Sequence, residues 1–235
     1  MSAVAGELEA LRRAVLVANL ALPANGLVTL TWGNASQIDR ERGLVAIKPS
    51  GVSYAEMTLA DIVVVDLDGA PVAGERRPST DTPTHLELYR RFAQIGGVVH
   101  THSTWATVWA QAQREIPIYG TTHADLCAHA IPLTRALTAE EIEAGYEHNT
   151  GVVLAEAIAK LGPEQVPATL VRGHAPFAWG SDAAAALEHA VTLEEVARMA
   201  FLTEALAPQA PTLDGALRET HHRRKHGPDA YYGQR

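Results

Sequence analysis

Two histidines separated by one residue, His100 and His102, are the strongest chemical signal in the sequence. They end an apolar run that begins at Val98 and is typical of a buried β-strand. Because residues i and i+2 of a strand project from the same face, both imidazoles can reach one metal ion. The spacing alone does not separate this interpretation from two hydrogen-bonded histidines at a strand end.

Asp81 and His174 are the candidates to complete such a metal site. His174 follows another predicted strand, whereas Asp81 stands at a predicted helix start, where the more ordinary role of an aspartate is to cap the helix. Three histidines and a carboxylate suit Zn²⁺ or a similar ion. Such an ion acts as a Lewis acid when one coordination position stays open to substrate.

Groups that bind phosphate in proteins occur in three places. They are a Lys, a hydroxyl and a glycine amide after a predicted strand, two hydroxyls before a predicted helix, and an amide side chain in a predicted loop. The candidates are Asn34, Lys48, Ser50, Gly51, Ser79 and Thr80. Taken singly, each is better explained as a turn or cap residue.

Acid/base candidates are Asp125 and the pair Tyr231 and Tyr232 near the C-terminus. From spacing alone, a tyrosine pair at this place is more typical of a packing anchor or a frayed tail.

Helices and strands alternate along the chain, which favours one α/β domain. Periodicity and turn signals predict helices over 7–21, 82–93, 104–113 and 138–160, a long one up to 206 capped by Ser181, and a last one ending near 226. Strands are predicted over 44–48, 62–67, 98–102, 168–171 and 177–179, with a hairpin turn at 68–69. Ser103 is the predicted cap of the helix that follows the histidine pair.

Composition excludes several classes of protein. The 235 residues carry a formal net charge of −8, which disfavours non-specific binding to nucleic acid or to an anionic membrane. The single cysteine, Cys127, allows no intrachain disulfide. Acidic and basic residues interrupt the N-terminal apolar pattern, so no signal peptide is expected, and no apolar run is long enough to span a bilayer. We therefore expect a cytoplasmic protein.

Several stretches together resemble the class II aldolase/epimerase family. They are ANLALPANGLVTLTWGNAS, AIKPSGVSY, RPSTDTPTHLELY, GGVVHTHSTWATVWAQ, GTTHADL, HAPFAWG and RKHGPDAYYGQ, and they span residues 18 to 234. The tail and the PSTDTPTH stretch are similar to the epimerases of that family. The resemblance implies a three-layer α/β/α fold around a largely antiparallel sheet, with residues 1–235 as a single domain. It also implies a C4 homotetramer whose C-terminal tail, 221–235, reaches the neighbouring subunit's site.

The resemblance also implies roles for individual residues. The implied ligands of a divalent metal, usually Zn²⁺ but also Mn²⁺ or Co²⁺, are Asp81, His100, His102 and His174. The implied substrate and phosphate contacts are Asn34, Lys48, Ser50, Gly51, Ser79 and Thr80. Asp125 and Tyr232 resemble the acid/base residues, reaching the site from the adjacent subunit. Further implied contacts in or near the site are Thr121, Glu147, His221 and Arg224.

The activity that the resemblance implies is an isomerase reaction on a sugar phosphate. L-ribulose 5-phosphate becomes D-xylulose 5-phosphate by retro-aldol cleavage and re-addition through a metal-bound enediolate, in arabinose catabolism or another pentose route. One alternative is an aldolase that releases its two fragments, although such enzymes typically carry Glu at the position of Asp81. Another is a non-catalytic domain like that of adducin, although such domains lose the metal histidines.

The sequence departs from the familiar pattern at two positions. Thr80 stands where serine is common, and it keeps the hydroxyl. Arg172 stands two residues before His174, where a histidine is expected. If that histidine oriented the metal ligand, the surroundings of the ligand here must differ.

Overall fold

The computed structural model describes residues 3–226 and 230–233 of the chain. Its central element is an antiparallel sheet of seven strands in the order β4-β3-β2-β1-β5-β7-β6. The strands are β1 (Asn34–Asp39), β2 (Leu44–Ile47), β3 (Val63–Asp66), β4 (Pro71–Ala73), β5 (Gly97–His100), β6 (Ala168–Leu170) and β7 (Pro176–Gly180). The antiparallel sheet implied by the family resemblance is confirmed.

Helices cover both faces of this sheet. They are α1 (Ala3–Ala24), α2 (Thr82–Arg91), α3 (Thr104–Gln111), α4 (Thr121–Leu126), α5 (Ala139–Ala159), α6 (Ala183–Leu206) and α7 (Gly215–His226), and a 3₁₀ turn spans Leu59–Asp61. On one face, α1, α3 and α6 pack over the side chains of residues such as Ala35, Val64 and Val99. On the other face, α2 and α5 pack over alternate residues such as Val65 and Val98. The result is the expected α/β/α arrangement.

Strand β1 is the one strand in the middle of the sheet that the sequence did not predict. Its sequence, NASQID, is mostly polar and carries no β-branched run. It nevertheless pairs with β2 on one side and β5 on the other, and its register sets Asn34 opposite His100. Asn34 therefore starts a strand. The prediction that it lies in a loop is wrong.

Helix ends differ from the prediction in three places. Helix α1 starts earlier than predicted and includes Pro23 in its last turn. Asp182, not Ser181, caps α6, because its carboxylate accepts a hydrogen bond from the Ala185 amide at 2.8 Å. The Ser103 side chain makes no cap bond at α3. Instead, the Glu194 carboxylate from α6 accepts the amides of residues 105 and 106 at 2.8 and 3.0 Å.

Helix α5 begins with the predicted capping box between Thr138 and Glu141. Its backbone leaves helical geometry at Gly145, where φ is +147° and ψ is 91°. The periodicity of the sequence gave no sign of this break. Among the described residues, no helix is both long and apolar enough to cross a membrane.

Candidate active site

A cavity of about 500 Å³ opens where β1 begins and β5 ends, on the sheet face covered by α2 and α5. Its wall includes ten of the residues that the sequence indicated for metal or phosphate binding. They are Asn34, Lys48, Ser50, Gly51, Ser79, Thr80, Asp81, His100, His102 and His174. Residues from five separate segments of the chain thus meet in one place.

Three histidines converge at one end of this cavity. His100 is the last residue of β5, His102 lies in the short connection between β5 and α3, and His174 lies in the turn between β6 and β7. One nitrogen from each ring lies within 4.8 Å of the others, and the Nε2 atoms of His102 and His174 are 3.1 Å apart. Burial is the main cause that lowers the pKa of His102, and burial with the two neighbouring rings lowers that of His174 to about 4. Neutral imidazoles with converging nitrogens suit a divalent metal.

Two of the three rings are held by groups outside the cluster. His100 donates its Nδ1 proton to the Pro176 carbonyl at 2.9 Å, and its ring stacks on Phe177 with the centroids 4.1 Å apart. His174 Nδ1 lies 3.1 Å from the hydroxyl of Tyr146 on α5. Such partners fix the orientation of a metal-binding ring. The sequence analysis missed both Phe177 and Tyr146.

Asp81 precedes α2, but its side chain does not cap that helix. Instead, the Asn34 side-chain amide donates to the Asp81 carboxylate at 2.6 Å and to the Ser79 hydroxyl at 3.1 Å. Burial alone would raise the pKa of Asp81, but His100, His85 and the Asn34 hydrogen bond outweigh it and hold the pKa below its usual value. Asp81 is therefore a carboxylate beside the histidines, although the tight nitrogen cluster itself contains only the three rings among the described residues.

The other end of the cavity is built from two loops that hydrogen-bond to each other. The Ser50 amide donates to the Arg77 carbonyl at 2.9 Å, and the Ser79 amide donates to the Lys48 carbonyl at 3.0 Å. Three residues with side-chain hydroxyls, Ser50, Ser79 and Thr80, thereby line one cavity. Hydroxyls in such a cradle are typical ligands of a phosphate group.

Lys48 is fully buried beneath these loops. Its ammonium lies 3.1 to 3.4 Å from the carbonyl oxygens of Thr31, Pro49 and Val52, and 4.8 Å from the ring centroid of Tyr54. Burial lowers the pKa of Lys48. In this structure the ammonium therefore holds the loops of the cavity together, and a direct contact with phosphate stays a prediction.

Gly33 allows the start of β1 to lie close to the main chain at His100. Its φ is +78°, and a Cβ atom at this position would lie 2.9 Å from the His100 carbonyl oxygen and 2.9 Å from a methyl group of Val28. A side chain here would be both strained and blocked by backbone. Gly51, on the opposite wall, also has a positive φ of +69° but has open space around it.

A second cluster of predicted residues, the α4/α7 cluster, contains Asp125, His221, Arg224 and Tyr232. Arg224 donates to the two Asp125 oxygens at 3.0 and 2.5 Å, and His221 Nδ1 lies 3.1 Å from the same carboxylate. The Arg224 guanidinium is 5.1 Å from the Tyr232 ring centroid. Burial alone would raise the pKa of Asp125, but its hydrogen bonds with Arg224 and His221 hold the pKa below its usual value.

The α4/α7 cluster is not part of the cavity wall in its own subunit, as far as the described residues show. Thr121 begins α4, beside this cluster. Glu147 lies next to Tyr146 on α5, where its main-chain carbonyl accepts the Thr84 hydroxyl at 2.6 Å. Positions 227–229 and 234–235 of the predicted tail lie outside the described residues.

Comparison with known proteins identifies the family. Residues 13–201 match the model of the class II aldolase and adducin N-terminal domain. The chain belongs to the class II aldolase family. Class II aldolases use a divalent metal, usually Zn²⁺, and the three converging histidines have the donor chemistry and spacing for one. The non-catalytic alternative was expected to lack these histidines, and they are present.

Solved structures of other class II aldolase-family proteins share the fold. An L-fuculose 1-phosphate aldolase is 26% identical, with a TM-score of 0.79 over 91% of this chain and 95% of that one. The L-fuculose-1-phosphate aldolase of Thermus thermophilus is 25% identical, with a TM-score of 0.66 over 86% and 98% of the two chains. YgbL of Klebsiella pneumoniae, assigned to the aldolase, epimerase and decarboxylase group, is 22% identical, with a TM-score of 0.72 over 89% and 96%.

Proposed function

We propose that this class II aldolase-family protein is an L-ribulose-5-phosphate 4-epimerase. The supporting observation is that one cavity is lined both by three converging histidines with Asp81 and by the hydroxyl-bearing residues Ser50, Ser79 and Thr80. The proposed ligand is a small sugar phosphate, whose oxygens would lie at the histidine end and whose phosphate at the hydroxyl end. The proposed metal ligands are Asp81, His100, His102 and His174, with Zn²⁺, Mn²⁺ or Co²⁺ as the ion.

The chemistry of the substrate explains why both ends are needed. The C4 hydrogen of L-ribulose 5-phosphate is not acidic, so inversion by cleavage and re-formation of the C3–C4 bond avoids removing it. A divalent ion bound by the histidines would act as a Lewis acid for the negative charge of the cleaved fragment. The hydroxyl loops would hold the phosphate, so that the aldehyde fragment turns without leaving.

The hydrogen bonds of Asn34 support a proposed role for its side chain in binding the substrate. Its Nδ2 is occupied by Asp81 and Ser79, whereas its buried Oδ1 has no partner. A buried acceptor without a donor is costly. Because Asn34 lines the cavity, a substrate hydroxyl is the proposed donor to Oδ1.

Asp125 and Tyr232 are the proposed acid/base residues. One would serve each C4 epimer, from opposite faces of the aldehyde. Since they lie outside the cavity wall of their own subunit, they can serve a cavity only if a second copy of the chain brings them to it. This supports the proposed C4 homotetramer of single-domain subunits, with the proposed contacts of Thr121, Glu147, His221 and Arg224 near the subunit boundary. The proposed location is the cytoplasm.

Release of the two fragments is the alternative reaction. The 26% identical L-fuculose 1-phosphate aldolase favours it, whereas Asp81, in place of the Glu typical of such aldolases, favours the epimerase.

A single assay decides between them. Metal-loaded protein is given L-ribulose 5-phosphate, and both D-xylulose 5-phosphate and free glycolaldehyde phosphate are measured, before and after chelator treatment. Epimerisation that depends on the metal supports the proposal, and His148→Ala, which changes an exposed histidine outside the cavity, should leave it intact. Absence of turnover, or aldehyde release that outpaces epimerisation, would contradict it.

A further inference from the structure

We propose that Tyr146 is a positioning residue of the metal centre. Its hydroxyl accepts the Nδ1 proton of His174 and so keeps the Nε2 lone pair of that ring directed at His100 and His102. The observation behind this is the distance of 3.1 Å between the Tyr146 hydroxyl and His174 Nδ1. The inference rests on the proposed metal site and goes beyond the ligand set itself.

The position of one proton on His174 carries the argument. A neutral imidazole has one proton, on either Nδ1 or Nε2. His174 Nε2 lies 3.1 Å from His102 Nε2, so without a metal one of these two nitrogens donates to the other. Both can bind the same ion only if both present lone pairs, which requires the His174 proton to be on Nδ1. The Tyr146 oxygen, 3.1 Å away, is placed to accept that proton.

The chemistry of Tyr146 suits this role. A tyrosine hydroxyl is a neutral phenol near pH 7, with one proton and lone pairs on its oxygen. A phenol oxygen accepts the Nδ1 proton of His174 while keeping its own proton. His100 is held in the same manner, because its Nδ1 donates to the Pro176 carbonyl at 2.9 Å. The difference is that His174 depends on a side chain from another element.

The break in α5 places this hydroxyl. Gly145 departs from helical geometry immediately before Tyr146. The Asn149 side-chain amide then donates to the carbonyls of Glu141 and Gly145 at 2.7 and 3.0 Å. The Thr150 hydroxyl donates to the Tyr146 carbonyl at 2.8 Å. These bonds connect the main chain on the two sides of the break and so fix the position of the tyrosine.

Arg172 does not take this role. Its guanidinium donates to the Gln113 side chain at 2.5 Å, and its amide donates to the Thr134 hydroxyl at 3.1 Å. Arg172, which stands where a histidine was expected, therefore anchors the turn of His174 to Gln113 and Thr134. Tyr146 contacts the His174 ring itself.

The test compares Tyr146→Phe with Tyr119→Phe. Phenylalanine keeps the ring and removes only the hydroxyl, and the Tyr119 hydroxyl donates to Glu204 at 2.8 Å, outside the cavity wall. Zn²⁺ affinity of the metal-free proteins is measured by competition with a chromophoric chelator. We expect Tyr146→Phe to bind Zn²⁺ about 10- to 100-fold more weakly and Tyr119→Phe to bind it as the unchanged protein does.

Nuclear magnetic resonance of ¹⁵N-labelled, Zn²⁺-loaded protein gives a second reading. A slowly exchanging Nδ1 proton on His174 is expected in the unchanged protein and in Tyr119→Phe, and its loss is expected in Tyr146→Phe. The spectrum of the unchanged protein alone establishes the tautomer of His174. This measurement therefore remains usable even if Tyr146→Phe folds poorly.

The outcomes separate the two proposals. If the unchanged protein binds no Zn²⁺, or if His102→Ala binds it equally well, the metal site is wrong and the role of Tyr146 falls with it. If the unchanged protein binds one Zn²⁺ but Tyr146→Phe matches its affinity, or if His174 carries no Nδ1 proton, only the role of Tyr146 is overturned.

Discussion

The cavity histidines and the α4/α7 cluster are held in place by different means. His100 and Asn34 face each other across two paired strands, and both are buried. Asp125 is held by Arg224 across two helices, and the neighbouring Tyr232 is 60% exposed. The first region is fixed by backbone hydrogen bonds of the sheet, and the second by side-chain charges near the surface. A metal site benefits from rigid ligands, whereas groups proposed to serve the site of a partner subunit would have to fit another surface.

The largest expected effect comes from removing a cavity histidine. His102→Ala should abolish binding of one Zn²⁺ per chain and lower turnover by more than about 10⁴-fold, since both the Lewis acid and its orientation are lost. Metal content after dialysis is the measurement. A variant that keeps its metal and its rate would show that the cavity is not the catalytic centre.

Changing the α4/α7 cluster should separate activity from metal binding. Asp125→Asn and Tyr232→Phe are each expected to reduce turnover by about 10²- to 10⁴-fold, because each removes one of the two proposed acid/base groups. Both should still bind one Zn²⁺. Full turnover in Tyr232→Phe would remove that residue from the proposed mechanism.

Mixed oligomers test whether the two regions serve one site across subunits. His102→Ala and Asp125→Asn chains, each nearly inactive, are co-expressed and purified together. If each site takes its histidines from one copy and its aspartate from a neighbour, about a quarter of the sites in a random ring are intact. Activity no higher than that of the separate variants would place both residues in the same subunit's site.

Gly33→Ala probes how rigid the cavity region is. Its Cβ would meet backbone at 2.9 Å, in a left-handed conformation, so we expect the free energy of unfolding to fall by about 2–4 kcal/mol. Gly51→Ala is the matched control, since its φ is also positive but space is open, and about 1 kcal/mol is expected. Equal losses in urea denaturation would mean that the contact with His100 is easily relaxed.

The last expected effect appears only at low pH and concerns the buried His123 of α4. Burial lowers the pKa of His123 to about 4, and its Nε2 lies 3.1 Å from the His129 carbonyl. The unfolded chain takes up this proton near pH 6.5 and the folded chain only near pH 4. The contribution of neutral His123 to the free energy of unfolding is therefore fully present above pH 6.5. It is lost as the pH falls towards 4, by up to about 3 kcal/mol.

His123→Asn should flatten this pH dependence. Unfolding of the metal-free protein is measured in urea between pH 7.5 and pH 4.5, with the exposed His148→Asn as control. An unchanged slope in His123→Asn would show that another group controls acid stability, with buried His85, whose pKa burial lowers to about 3, as the next candidate.

Sequence patterns predicted those parts of the fold that local chemistry determines. The capping box at Thr138 and the β-branched runs of β2 and β3 are strong local signals, and the structure contains both. Strand β1 escaped prediction because its polar residues are paired on both sides, which only the complete sheet makes favourable. Its central position comes from tertiary pairing, not from propensity.

The candidate site likewise contains residues that the sequence predicted and residues that it did not. His100, His102 and the hydroxyl loops carry motifs, and the structure places them in one cavity. Tyr146 carries none, because its contact with His174 depends on a helix break and on a chain separation of 28 residues. Hydrogen bonds of this kind can be found only once the fold is known.

Glu194 has a consequence for the electrostatic polarity of the cavity. The N-terminus of α3 follows His102 directly, and the amino end of a helix carries about half a positive charge. The Glu194 carboxylate accepts the first amides of α3 and neutralises that charge. A dication beside His102 is thereby spared repulsion, and an anion finds no attractive helix end there. A phosphate would accordingly find its partners at the loops of Ser50, Ser79 and Thr80 and not at this helix end.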